Sequence, residues 1–287
     1  MLLDRDGSKW YKGNLHTHTT ESDGAKTPDE VKRIYKSLGF DFLALTDHWR
    51  VSEAGVYDGM LVLSGVEYDC ITDGCYHVVG YGMKEKPEVK RGDGPQEFID
   101  GIKRAGGIAT LAHPAWSLQR PDKMAELKGV DCTEIYNSVS GYPYSARPYS
   151  GTIIDTAALL GFRAVLTAAD DTHFYGDEVG RGFVYVKAAE LTEDAICAAI
   201  KKGDVIASNG LFITARAEGD CFKVYCPEGC KYVQFFSNLY YSPYTTVTGG
   251  TVYEASFPLS DKVSFVRAEA VGFDGKTAYT QYFYPHA

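Results

Sequence analysis

Six of the seven histidines stand beside acidic, glycine or proline residues at the ends of short apolar runs. They occur as His16-Thr17-His18, Asp47-His48, Tyr76-His77, Ala112-His113-Pro114 and Asp171-Thr172-His173, and only His286 stands apart. Asp23, in Ser22-Asp23-Gly24, and Glu67, in Gly65-Val66-Glu67, lie among them. Neutral imidazole and carboxylate are the natural ligands of Zn, Mn and Fe. A single tetrahedral ion takes about four ligands. The candidates His16, His18, Asp23, His48, Glu67, His77, His113, Asp171 and His173 therefore imply more than one ion.

The elements that must gather these residues are legible up to about residue 204. Asn14 to His18 closes a short strand. Thr27-Pro28-Asp29-Glu30 opens a helix: a Thr cap, Pro in the first turn, then acids at the positive end of the dipole. Val31, Ile34, Tyr35 and Leu38 follow at helical spacing, and Gly39 ends it. Phe40 to Leu45 reads as a buried strand running into Asp47-His48. Further strands are expected at Met60–Val66, ending at Glu67, and at Tyr76–Tyr81, Gly107–Ala112, Cys132–Tyr136 and Phe162–Ala168. Helices are expected at Pro95–Ala105, Ser150–Leu160 and Leu191–Lys202. This alternation predicts a mainly parallel sheet, with the ligands just past strand C-termini, the face that carries chemistry in (β/α) barrels. His16 and His18, two apart on extended chain, would point the same way. Pro114 is expected to hold the His113 backbone in the β region.

From Val205 the texture changes. Residues 205–287 hold 17 of the 35 Tyr and Phe residues, set between turn pairs such as Gly249-Gly250 and Asp274-Gly275, which predicts an antiparallel β domain. The domains are expected at 1–204 and 205–287. Cys221, Cys226 and Cys230 read as inert thiols, since three ligands without a nearby His make a poor zinc site.

The net charge of −9 argues against long nucleic acid as a partner. Seven cysteines without framework spacing point to a reducing compartment. No basic-then-apolar signal opens the chain, and the longest apolar stretch, Thr156 to Ala169, is interrupted by Gly161 and Arg163. A cytoplasmic protein without a membrane partner is expected.

In its order of motifs, His16-x-His18, Ser22-Asp23-Gly24, Thr46-Asp47-His48, Gly65-x-Glu67, His77, Ala112-His113-Pro114 and Asp171-x-His173, the chain resembles the PHP (polymerase and histidinol phosphatase) metallohydrolases over roughly residues 10–210. The resemblance implies a distorted (β/α)7 barrel with two or three divalent ions. One ion would take His16, His18, Glu67 and Asp171. A second would share Glu67 and add His77 and His113, and a third would take Asp23, His48 and His173. The segments Asp170 to His173, Gly180 to Val186 and Ser208-Asn209-Gly210 resemble the longer branch of the family, which carries an added β domain and includes phosphoesterases and carbamate hydrolases.

Such a centre would make hydroxide available near neutral pH for in-line attack on phosphorus, with the ions binding phosphoryl oxygens. Asp171 and His173 are the catalytic candidates, and Asp171 could receive the proton of the attacking water. A small phosphorylated metabolite or nucleotide is the expected substrate, and a carbamate or amide is the alternative. Arg147 and Arg181 are candidates for phosphate binding, because the guanidinium fork matches phosphate oxygens. Tyr142, Tyr144 and Tyr149 could contact a sugar or base. Glu134, Asn137 and Asp170 are candidates to orient the ligands, with loop capping an equal role for the first two.

Overall fold

The computed structural model describes residues 1–3 and 7–286; Asp4, Arg5 and Asp6, part of the segment read for a signal, lie outside the described residues. The first half forms β1 (Leu2–Leu3), β2 (Lys9–Asn14), α1 (Pro28–Ser37), β3 (Phe42–Ala44), β4 (Gly55–Tyr57), β5 (Met60–Leu63), β6 (Gly65–Ile71), β7 (Cys75–Tyr81), α2 (Pro95–Arg104) and β8 (Ile108–Leu111). There follow α3 (Pro121–Glu126), β9 (Cys132–Asn137), α4 (Gly151–Leu159), β10 (Val165–Ala169), β11 (Phe183–Lys187) and α5 (Glu193–Lys202). The rest is strand: β12 (Val205–Ser208), β13 (Thr214–Glu218), β14 (Cys221–Ser237), β15 (Thr246–Pro258), β16 (Val266–Val271) and β17 (Thr277–Tyr279). Among the described residues no helix is long and apolar enough to cross a membrane.

The local signals act as expected where they are strongest. Thr27 accepts from the Glu30 N–H while Glu30 reaches back to Thr27, a closed capping box that starts α1. The unexpected α3 begins at Pro121, a residue suited to a first helical turn.

The architecture is mixed α/β with large sheets and few helices, and the strand pairing draws two sheets rather than a clear (β/α)7 barrel. Twelve strands make one sheet, with β13-β14-β16-β17-β12-β11-β2-β3-β5-β4 as its path; five make another, β10-β9-β8-β7-β6. Between named strands, parallel pairing is found for β2, β3 and β5 and for β8, β9 and β10, with isolated parallel bridges at Thr17–Thr172 and His48–Glu67. Antiparallel β11 on β2 and the β6–β7 hairpin interrupt it. The physical cause lies at Ser64. The single strand expected over Met60–Val66 breaks there, so β5 stays in the large sheet while β6 crosses into the small one. Gly65 permits the crossing, because a Cβ at that position would collide with the Leu45 carbonyl oxygen. Phe42, Leu61, Leu63 and Val184 of the large sheet share one apolar core with Val79, Tyr81, Ile108 and Cys132 of the small one.

Beyond Lys202 the described residues hold only antiparallel strands, and β12 pairs with both β11 and β17, so the large sheet runs across residue 205 without a break. A buried guanidinium ties this part to the rest. Arg267, on β16, grips Asp155 of α4 through Nε and Nη2 at 2.7 Å each, donates to Glu269 and lies 3.1 Å from the Tyr149 hydroxyl. Arg267→Met removes the cation and leaves buried Glu269 and half-buried Asp155 without their guanidinium partner. It is expected to lower unfolding free energy by about 3–5 kcal/mol in urea titration, whereas Arg216→Met, on the exposed β13, should leave the midpoint nearly unchanged.

Candidate metal centre

The strand ends that carry the histidines are laced together by backbone hydrogen bonds. Thr46 N–H donates to the Thr17 carbonyl at 2.8 Å, His18 N–H to Thr172 at 3.0 Å, Asp171 N–H to His16 at 2.9 Å and Glu67 N–H to Asp47 at 3.2 Å. Buried main-chain polar groups need partners, and meeting that need past the ends of β2, β3 and β10 draws the ligand-bearing segments to one point. Glu67 is inside β6 rather than at its end. His77, inside β7, stands opposite Asp69 in the hairpin, and its Nδ1 lies 2.8 Å from Glu67 Oε1.

The donors crowd. His16 Nε2 is 3.2 Å from both Glu67 Oε2 and Asp171 Oδ1, and His18 Nε2 is 3.0 and 3.1 Å from the same two oxygens. Donors about 2.1 Å from one tetrahedral ion stand about 3.4 Å apart, so this quartet has the spacing of a ligand set. His18, Asp23, His48 and His173 form a second such group; Asp23 Oδ2 lies 3.4 Å from His173 Nε2 and 3.8 Å from His48 Nε2. Glu67, His77 and His48 form a third. His113, placed with Glu67 and His77 by the resemblance, stands slightly outside, its Nε2 3.7 Å from Glu67 Oε1 and from Asp171 Oδ2.

Two buried atoms test whether this chemistry suits a cation. Asp171 Oδ1 and His48 Nδ1 make no hydrogen bond among the described residues. Buried polar atoms without partners are costly, and a divalent ion would satisfy both. The tautomers agree. His16 Nδ1 faces Glu134 Oε1 at 2.8 Å and His173 Nδ1 faces the Asp171 carbonyl at 2.8 Å. Each Nδ1 is therefore committed as a donor, so Nε2 is the nitrogen that would face a bound ion.

Electrostatics shows the same tension. Burial opposes ionisation of Glu67, yet His16, His77 and His113 beside it hold its carboxyl well below the usual range. Burial likewise opposes the charged form of His16, but Asp171, Glu67 and Glu134 raise it well above the ordinary imidazole value. His77 rises to about 10: burial works against the shift and Glu67 drives it. Each carboxylate demands a positive neighbour, and bound cations would take over that duty.

The supporting residues are mostly acids that clamp backbone. Glu134 spans His16 Nδ1, the His113 N–H at 2.9 Å and the Asn137 amide at 2.8 Å; the same amide reaches Asp171 Oδ2 at 3.1 Å. This capture explains a departure from expectation. His113 has φ +30, outside the β region, because its N–H turns toward the buried Glu134. Asp171 is also left-handed, at φ +53. Asp47 binds no histidine; it accepts from Thr19 N–H and Oγ1 and from Ser22 Oγ, holding the loop between His18 and Asp23. Asp170 accepts from the N–H groups of Gly180, Arg181 and Gly182 and from Tyr35; burial raises its pKa to about 6 against those bonds.

A cavity of about 370 Å³ opens on the cluster, lined by Asp23, His48, Glu67, His77, His113, Asp171 and His173 together with Trp116, Val139, Ser140, Tyr144, Ser145 and Phe174. Arg147, Arg181 and Tyr149, expected to bind substrate, are not among the lining residues. Arg147 is exposed and Arg181 extends to Asp177, 3.5 Å away, while the Tyr149 hydroxyl donates to Glu269. An arginine on an exposed loop is drawn to solvent and to its neighbours, and spacing could not reveal that. Trp116 and Phe174 carried no sequence signal. Asp69, 3.3 Å from His48 Nδ1, had one: it lies two residues beyond Glu67 on the same strand face.

No family model matches the chain. An uncharacterized protein of Methanocaldococcus jannaschii is 27% identical over 147 residues, covering 44% of this chain and 82% of that one. The solved structure of a two-domain protein from Bacteroides vulgatus, containing a predicted PHP-like metal-dependent phosphoesterase, is 16% identical, covers 99% of this chain and 98% of its own, and has a TM-score of 0.58. An amidohydrolase from Chromobacterium violaceum, solved with sulfate and no metal, covers 67% of this chain and 96% of its own at 17% identity and a TM-score of 0.46. The likeness to the Bacteroides structure, over nearly the whole of both chains, shows that the two share an overall fold.

Glu134→Gln removes the charge that holds the His16 proton on Nδ1. It is expected to weaken retention of the tightest ion by about 10–100-fold, read as metal content by mass spectrometry after dialysis against graded chelator. Unchanged retention would show that Glu134 serves the His113 turn alone.

Proposed function

We propose that the chain is a PHP metallohydrolase that cleaves a small phosphate ester in the cytoplasm with two or three divalent ions, Zn, Mn or Fe. Residues 1–204 hold the ions and residues 205–287 brace that unit. The observation that carries this reading is the convergence of nine donor side chains from segments up to 157 residues apart, His16 to His173, on one cluster, seven of them lining the cavity above it. The phosphoesterase in the two-domain neighbour supports the same choice of reaction.

Bound divalent ions supply Lewis acidity, lowering the pKa of water and drawing in phosphoryl oxygens. The chain's own residues supply the rest. His16, His18, Glu67 and Asp171 would hold one ion; His18, Asp23, His48 and His173 would hold another; Glu67 and His77, with His113 beside them, would face a third. Asn137 engages Asp171 Oδ2, which leaves Oδ1 toward the donors and able to take the proton of the attacking water. His173, with its Nδ1 proton committed to the Asp171 carbonyl, presents Nε2 beside Asp23. Three groups of donors suit a phosphate, which offers three oxygens, better than a planar amide.

One observation favours a second reading, carbamate or amide hydrolysis. No Lys or Arg lines the cavity among the described residues, so no fixed cation awaits a phosphate there.

A panel of p-nitrophenyl phosphate, bis(p-nitrophenyl) phosphate and aryl carbamates, run with each metal, separates the two. Phosphate-ester cleavage that stops with EDTA and returns with one of the three ions is expected. Carbamate turnover alone would transfer the assignment to the second reading. Asp171→Asn should lower kcat on the best ester by about 10²–10⁴-fold; a loss under threefold in a fully metal-loaded variant would remove Asp171 from proton transfer.

A further inference from the structure

The wall of the cavity carries three aromatic rings that no packing need explains. Phe174 is 58% exposed, Trp116 40% and Tyr144 37%. Phe174 and Tyr144 stack in parallel, with centroids 4.4 Å apart and planes at 13°. Trp116 stands edge-on over the other end of the cluster, 5.0 Å from the His113 ring and 5.7 Å from His77, whereas Phe174 adjoins His173 at 6.2 Å.

The stacked pair is held from behind. Glu178 is 2% exposed, and its carboxylate accepts the N–H groups of Phe174 at 2.7 Å, Tyr175 at 2.6 Å and Gly176 at 3.0 Å. The Tyr144 hydroxyl and the same carboxylate both border Gly176. Tyr175 takes a left-handed φ of +60, which lets successive N–H groups turn to one acceptor. Gly176 leaves room for the Tyr144 hydroxyl, since a Cβ there would stand 2.5 Å from it. A buried charge and a strained residue thus stand behind two stacked rings that both line the cavity. Exposed aromatic surface has a solvation cost, and rings already immobilised bind a flat partner with little further loss of entropy.

We propose that Phe174 and Tyr144, with Trp116 at the far end, form a stacking platform that selects substrates bearing a planar aromatic group, an aryl or nucleobase ring, next to the phosphoryl group. This rests on the phosphoesterase reading for the position of the phosphate. Glu178 is a positioning residue: it touches the platform and not the substrate.

The test is calorimetric titration of the full metal-loaded chain with phenylphosphonate and methylphosphonate, which share the anionic head and are not hydrolysed. The phenyl compound is expected to bind at least about tenfold more tightly, the scale of one stacked ring. That ratio should collapse toward one in Trp116→Leu and in Phe174→Leu, which keeps volume and loses the flat face. Glu178→Gln should lower the ratio partway. Equal affinity of the two phosphonates for the unaltered protein, or no binding of either, overturns the platform. A ratio that survives both leucine variants overturns it as well. The ester panel separates the two assignments. If no ester is cleaved while phenylphosphonate still outbinds methylphosphonate, the phosphoesterase reading falls and the platform stands. Cleavage of aryl and alkyl esters with equal phosphonate affinities removes the platform and leaves the phosphoesterase reading in place.

Discussion

Negative charge packed into a dry place governs this molecule. Glu67, Glu134 and Asp171 are all buried, within reach of a single imidazole, His16, and no lysine or arginine side chain lines the adjoining cavity among the described residues. Buried carboxylates must be matched by positive charge or by donors. Glu134 has donors: an imidazole N–H, a backbone N–H and an amide. Glu67 has His77 Nδ1 on one oxygen and Asp171 has the Asn137 amide on one, while Asp171 Oδ1 is left without a hydrogen bond. The cluster is therefore poised to hold cations, and its internal repulsion is the reason.

Three other acids show how the cluster is kept in shape. Asp47, Asp170 and Glu178 are buried too, but each spends its charge on backbone N–H or hydroxyl donors of a neighbouring loop. Each fixes one approach to the site: the turn between His18 and Asp23, the segment after His173 that leads into β11, and the Phe174 turn at the cavity rim. Acids of one chemical type thus divide into those whose oxygens are satisfied by hydrogen-bond donors and those with an oxygen that is not. The difference is set by whether nearby main chain bends toward them.

The C-terminal strands extend the same sheet that carries β2 and β3, and Arg267 binds them to α4 and to Tyr149. Tyr149 ends the loop that also carries Tyr144 and Ser140. A cavity wall built by the first part of the chain is thus braced by the second, which gives the aromatic-rich strands a purpose beyond their own core.

Much was legible in the chain before folding. The histidine and acid motifs announced their chemistry because metal ligands come from few residue types, and the capping box and apolar periodicity of α1 set that helix through interactions only a few residues long. The switch to antiparallel strand after Val205 was likewise written in aromatic, β-branched alternation. The crossing at Ser64 was not, since the pattern of Met60–Val66 is continuous and only the closeness of the Leu45 carbonyl to Gly65 divides it. Neither was the left-handed turn at His113, where a distant buried carboxylate outweighs the local preference set by proline. Arg147 and Arg181 looked suited to phosphate by type, yet neither lines the cavity, while Trp116, Phe174 and Glu178 owe their placement to neighbours distant in the chain or to turns that form only in the folded state. Residue chemistry and short-range preference belong to the sequence; which charges are left without donors, and which rings face a cavity, depends on long-range contacts that exist only once the sheets have packed.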